Sequence, residues 1–118
     1  MQRKFRLTRS EDFKRVRRSG KSYAHPLLVL VAQAGEEGRL HVGVAASRAI
    51  GTAVKRNRAK RLLREAMRTL LPSTHAGWDI LLIARPGLLS CSMFEVREAL
   101  LTLLRRAGLA VQVPSDAT

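Results

Sequence analysis

A protein that cuts a phosphodiester needs paired carboxylates to hold a metal ion, or histidines spaced to act as acid and base. The chain offers neither pattern. Asp79 stands alone beside Trp78, Glu36 and Glu37 fall in a turn, and Glu95 with Glu98 is explained by helix capping and solvation. His25, His41 and His75 occupy separate segments without ligand spacing, and Cys91 has no base partner nearby in sequence. No Gly-rich phosphate loop of a nucleotide-binding type occurs. The expectation is therefore no catalytic residue, no metal site and no cofactor bound by the protein itself.

What the chain does hold is positive charge. Its 118 residues contain 22 Lys and Arg against 9 Asp and Glu, a formal net charge of +13. Nine of the cations fall within residues 3–21 and seven within residues 55–68, so sixteen of the 22 lie in two short stretches. Charge needed only for solubility could be scattered; concentrated charge steers and positions a polyphosphate. No apolar run approaches the roughly 20 residues that span a bilayer, and no signal-peptide core is present, so no membrane partner is expected. A lone cysteine rules out an intrachain disulfide and fits a reducing cytoplasm.

Hydrophobic periodicity shows how the second cluster is presented. At about 100° per residue, Ala59, Leu62, Leu63, Ala66, Met67 and Leu70 share an arc of about 140°. Lys60, Arg61, Arg64 and Arg68 fall on the opposite side, Arg58 lies at its border, and Glu65 is the only acid in the stretch. An ordinary solvated helix would interleave acids for pairs worth about 0.2 to 0.5 kcal/mol each. Lys55, Arg56 and Arg58 also crowd the helix start, where the macrodipole disfavours each cation by about 0.3 to 1 kcal/mol. A phosphate there would meet free N–H groups, the favourable dipole end and several cations together.

The elements that must carry these residues are readable. A short helix is predicted over residues 10–18, with Thr8 or Ser10 as N-cap and Gly20 past its end. Leu27 to Ala34 and Leu40 to Ala46 read as strands joined by the turn Gly35-Glu36-Glu37-Gly38, an antiparallel hairpin, with a further short strand near Lys21 to Tyr23 or Pro26. Thr52 to Leu71 reads as a helix closed by Pro72, and Trp78 to Ala84 as a buried strand. A last helix starts at the capping box Ser92-x-x-Glu95, buries Val96, Leu100, Leu103, Leu104 and Ala107, and ends at Gly108. The class is α+β, a single domain over residues 1–112, with residues 113–118 as a loose tail.

The run Ser47-Arg48-Ala49-Ile50-Gly51-Thr52-Ala53-Val54-Lys55-Arg56-Asn57-Arg58-Ala59-Lys60-Arg61-Leu62-Leu63-Arg64-Glu65 resembles the signature of the bacterial ribonuclease P protein family. Arg6-Leu7, Glu11-Asp12-Phe13, Val16 and Gly20 resemble that family's opening helix. The resemblance covers roughly residues 3–108. It implies an α-β-β-β-α-β-α order, with a four-stranded mixed sheet and the signature helix in a left-handed crossover between parallel strands. That hand is rare and not derivable from periodicity.

Functionally, the resemblance implies the protein subunit of a ribonucleoprotein endonuclease that removes the 5′ leader from precursor tRNA. The active site and its Mg2+ would lie in the catalytic RNA. The implied partners are ribonuclease P RNA and the leader, with no obligate protein partner. Carried onto this chain, Lys55, Arg56, Asn57, Arg58, Lys60, Arg61, Arg64 and Arg68 form the RNA-binding helix surface. Phe13, Arg9, Arg17, Val31 and Arg48 form the leader cleft. The chain departs from the family pattern where Arg17 and Val31 replace cleft aromatics and Arg48-Ala49 replaces a lysine pair, so charge is expected to carry more of leader binding. A small basic ribosomal protein is the alternative, and a nucleoid-type DNA binder a more distant one.

Overall fold

The computed structural model describes residues 5–7 and 9–111. Alternation within the strands sets up the layers. In β2 (Leu28–Ala34), Leu28, Leu30 and Ala32 face one side of the sheet and Val29, Val31 and Gln33 the other. In β3 (Leu40–Ala46), Leu40, Val42 and Val44 join the first side, opposite His41, Gly43 and Ala45; in β4 (Trp78–Ala84), Ile80, Leu82 and Ala84 do so, opposite Asp79, Leu81 and Ile83. The first side packs under α2 (Ala53–Leu70) and α3 (Met93–Arg106) through Ala59, Leu63, Ala66, Met67, Leu70, Val96, Leu100, Leu103 and Leu104. The second side holds a smaller cluster, Val31 and Leu81 with Leu7 and Val16, under α1 (Ser10–Ser19). Leu62 and Ala107 are only half-buried at the margins.

The sheet order corrects the hairpin reading. The strands run β1-β2-β4-β3, with β1 (Lys21–Ala24) antiparallel to β2, β2 antiparallel to β4, and β3 parallel to β4. The expected partners β2 and β3 are thus separated by β4, and the hairpin is β1–β2. The physical reason is burial: Ile80, Leu81 and Leu82 are at most 1% exposed, and such a run, apolar on both faces, belongs at the centre of the sheet. The Gly35–Gly38 segment spans the gap and is tied to the start of β4, since Gly35 N–H donates to Gly77 O at 2.9 Å and Gly77 N–H to Arg39 O at 2.6 Å. Helix α2 is therefore the crossover of a parallel β3–α2–β4 unit, as the resemblance implied.

Local signals at the helix ends differ in how they fare. Ser92 and Glu95 form the full capping box of α3, and Gly108 takes a positive φ of 74° after its end. Helix α1 has Arg9 as N-cap without a side-chain bond, so Ser10 is its first helical residue rather than its cap; Thr8 lies outside the described residues. The proposed tail, residues 113–118, lies outside them as well.

Candidate nucleic-acid interface

The approach to α2 is built by a short chain of local devices. Ser47 Oγ accepts from Ala49 N–H at 3.2 Å and starts a 3-10 turn, Arg48–Ile50, whose Ile50 is buried. Gly51 then adopts φ 116° and ψ −123°, a conformation open only to glycine, and turns the backbone so that Thr52 becomes the N-cap and accepts from Lys55 N–H at 3.3 Å. The helix that follows carries its cations in distinct rows. Arg56, Lys60 and Arg64 recur every four residues and are half-buried along the flank beside β3. Asn57, Arg61 and Arg68 lie next to that row and are exposed. Lys55 and Arg58 are exposed too, but Arg58 sits about 160° around the helix from Lys60, so the signature cations do not form one strip. Among the described residues, none of Lys55, Arg56, Arg58, Lys60, Arg61 and Arg64 is paired with an acid; only Arg68 is, to Glu65 at 3.2 Å.

The half-buried row borders a groove of about 450 Å3, lined by Phe13, Val44, Ala45, Ala46, Ala53, Arg56, Asn57 and Lys60. Phe13 of α1 lies across Gly43 of β3, so close that a Cβ there would stand 2.8 Å from the ring's Cζ. The ring is half-buried and packs on the Leu7–Val16–Val31–Leu81 cluster. Phe13 is thus both a core anchor and a groove wall. Ala45, Ala46 and Ala53, whose small side chains leave room in the groove, carry no signal in the sequence that would mark them as its lining.

The remaining predicted cleft residues are placed less centrally. Arg17 and Arg48 are exposed but do not line the groove, and Val31, 2% exposed, lies beneath α1 rather than in it. Arg9 lines a second hollow of about 320 Å3 with Arg6, Leu7, Asp12, Arg15, Glu36, His41 and Asp79. Asp79 organises this hollow from the sheet. It accepts from Arg15 Nη2 at 2.6 Å and lies 3.1 Å from His41 Nδ1, while Arg15 also bonds Gln33 and, at 3.4 Å, Asp12. The Asp79 hydrogen bond holds the Arg15 guanidinium above its usual range, against the opposing effect of burial. Arg15, one cation of the N-terminal cluster, is thus spent on clamping α1 to β4, a role invisible in the sequence, where Asp79 looked isolated.

Among the described residues no helix is long and apolar enough to cross a membrane, and no three His, Cys, Asp or Glu side chains gather into a group that could hold a metal ion. A basic helix flank and an aromatic side chain thus meet around one open groove. The ribonuclease P family model matches residues 1–108. The chain belongs to the ribonuclease P protein family. It is 39% identical to the ribonuclease P protein component of Herpetosiphon aurantiacus over 92% of this chain and 89% of the relative. The protein component of Chloroflexus aurantiacus is 38% identical over 100% and 87% respectively. Among solved structures, the RNase P protein from Thermotoga maritima superposes with a TM-score of 0.76 at 30% identity, covering 86% of this chain and 96% of that one. That of Staphylococcus aureus does so with a TM-score of 0.76 at 25% identity, covering 90% and 97%. The chain is accordingly an RNA-binding protein component of the ribonuclease P endoribonuclease, with a part in tRNA processing, and the ribosomal-protein reading is not favoured.

Proposed function

We propose that this ribonuclease P protein holds the single-stranded 5′ leader of precursor tRNA in the groove between α1, β3 and α2. In this reading the exposed cations of α2 dock on ribonuclease P RNA, and that RNA supplies the hydrolytic centre and its Mg2+ in the cytoplasm. The observation that carries the proposal is the meeting of Phe13 with Arg56, Asn57 and Lys60 around one groove. A base can stack on the Phe13 ring for about 1 to 3 kcal/mol whatever its identity. Arg56 grips phosphate oxygens bidentately and Lys60 acts as a point charge. Asn57 offers both a donor and an acceptor to whichever group arrives.

The protein's contribution is then electrostatic and positional. Cations on α2 reduce the repulsion between two polyanions, and the groove fixes the leader relative to the cut. With about six phosphates engaged by the groove and the rest of α2 together, raising salt from 50 to 200 mM should weaken single-strand binding by about two to three orders of magnitude. Arg61→Ala should flatten the salt slope of catalytic-RNA binding by about 0.7 to 0.9, one contact's share. The deciding experiment mixes the purified protein with a bacterial ribonuclease P RNA at low magnesium and adds precursor tRNA. The expected result is 5′ cleavage only when both components are present; cleavage by the RNA alone at the same rate would refute the proposal.

A further inference from the structure

Gln33, Asp79 and His41 form one polar row across three strands. Gln33 stands opposite Asp79 in the β2–β4 register, and His41 stands opposite it in the β3–β4 register. On the same face β3 carries His41, Gly43 and Ala45 in succession, each roughly 7 Å beyond the last. Gly43 seats the Phe13 ring and Ala45 lines the groove, so the row lies at the end of this face away from the groove, with the ring's seat between the two. Arg15 reaches the row from α1. Its Nη1 donates to Gln33 Oε1 and its Nη2 to Asp79 Oδ2 at 2.6 Å, so one guanidinium bridges adjacent strands. His41 Nδ1, 3.1 Å from Asp79 Oδ1, holds the carboxylate from the other side. Gly35 leaves it room, since a Cβ there would stand 2.7 Å from Asp79 Oδ1.

Helix α1 has little else to fix it. Isolated helices shorter than about 12 to 15 residues are marginal in water, and α1 has ten. Among its described residues Val16 alone is fully buried. Viewed down the helix axis, Phe13 lies about 60° to one side of Val16 and Arg15 about 100° to the other. Val16 is thus a pivot, and the Arg15 bonds oppose a roll of the helix that would carry Phe13 off Gly43.

We propose that Asp79 is a positioning residue for leader binding: through Arg15 it fixes the roll of α1 and with it the place of the Phe13 ring in the groove wall. The proposal rests on the leader reading above. Asp79 touches no RNA in it, and its negative charge opposes the field by which a chain of net charge +13 attracts a polyanion. Charge and position therefore predict opposite signs. Neutralising Asp79 tightens leader binding if only the field matters, and weakens it if the placement of the ring matters.

The test uses holoenzyme reconstituted from full-length protein and ribonuclease P RNA, with leader-bearing precursor tRNA and leaderless mature tRNA as ligands, under conditions where circular dichroism shows each variant folded. Asp79→Asn should lower affinity for precursor tRNA about fivefold, the lower end of what one stacked base contributes. It should leave the binding of mature tRNA and of ribonuclease P RNA unchanged. Gly35→Ala keeps every charge but displaces the carboxylate, and this glycine has no positive φ for alanine to strain. It should show the same selective loss, and it carries the test if Asp79→Asn is too unstable to assay. Phe13→Leu should weaken precursor binding at least as much, and adding Asp79→Asn to it should lose little more, because the clamp acts through the ring. If Asp79→Asn and Gly35→Ala retain or tighten precursor binding while Phe13→Leu weakens it, the positioning role is refuted and the groove reading stands. If Phe13→Leu has no effect either, both fall. Equal weakening toward both tRNAs, or additive losses in the double variant, would show that Asp79 only supports the fold and would also refute the proposal.

Discussion

Gly43→Ala tests whether the core and the groove are coupled through Phe13. The added Cβ would stand 2.8 Å from Phe13 Cζ, 3.0 Å from its Cε1 and 3.2 Å from Leu7 Cβ. Ordinary carbon contacts lie at about 3.5 to 4.0 Å, so the ring must retreat by about 0.7 to 1.2 Å. Overpacking of this kind costs about 1 to 3 kcal/mol. Gly43 has no positive φ, so alanine adds no backbone strain and recovers about 0.4 to 1 kcal/mol by restricting the unfolded chain. The expected net loss is about 0 to 2.6 kcal/mol, centred near 1.3, in urea or guanidinium unfolding. Because the displaced ring is a groove wall, leader affinity, read from fluorescently labelled precursor tRNA, should fall several-fold in parallel. Adding Phe13→Leu should restore part of the stability but not the leader affinity, since leucine relieves the clash and cannot stack. A Gly43→Ala protein with unchanged stability and leader affinity, or strict additivity with Phe13→Leu, would refute the coupling.

Asp79→Asn should destabilise the protein by about 1 to 3 kcal/mol in denaturant unfolding. Loss of one partner from a buried pair costs more, but the Arg15 side chain is 37% exposed and regains water. Gly51→Ala should cost about 1 to 3 kcal/mol at its positive φ and also weaken catalytic-RNA binding, because this turn aims the start of α2; unchanged affinity would show that the aim does not matter. Burial, and after it the Glu95 charge, pushes the Cys91 thiol up, so at pH 8 it should hold less thiolate and alkylate more slowly than a small-molecule thiol. Its rate-against-pH curve should inflect above that of the free thiol and move down in Glu95→Gln.

How far the fold was legible depended on the range of the interactions involved. The Ser92 capping box, the alternation of β3 and the apolar arc of α2 are set by neighbours a few residues apart, and each appears in the structure where the pattern put it. The β2–β3 hairpin expected from the sequence does not form, because a Gly-bounded turn between two apolar runs is compatible both with direct pairing and with a step over an intervening strand. The choice is made by β4, more than 30 residues away, whose need for burial on both faces puts it between them.

The same division runs through the site. Composition and the signature run determined by themselves that this protein binds a polyanion, that its basic helix has an apolar underside, and which family it resembles, because charge and periodicity are properties of the chain. Only the tertiary structure decided which cations act together. It set Arg56 and Lys60 against Phe13, turned Arg58 away, spent Arg15 on Asp79 and buried Val31. Those outcomes depend on strand order and on how α1 and α2 pack on opposite faces of one sheet, relations between distant segments that no local pattern encodes.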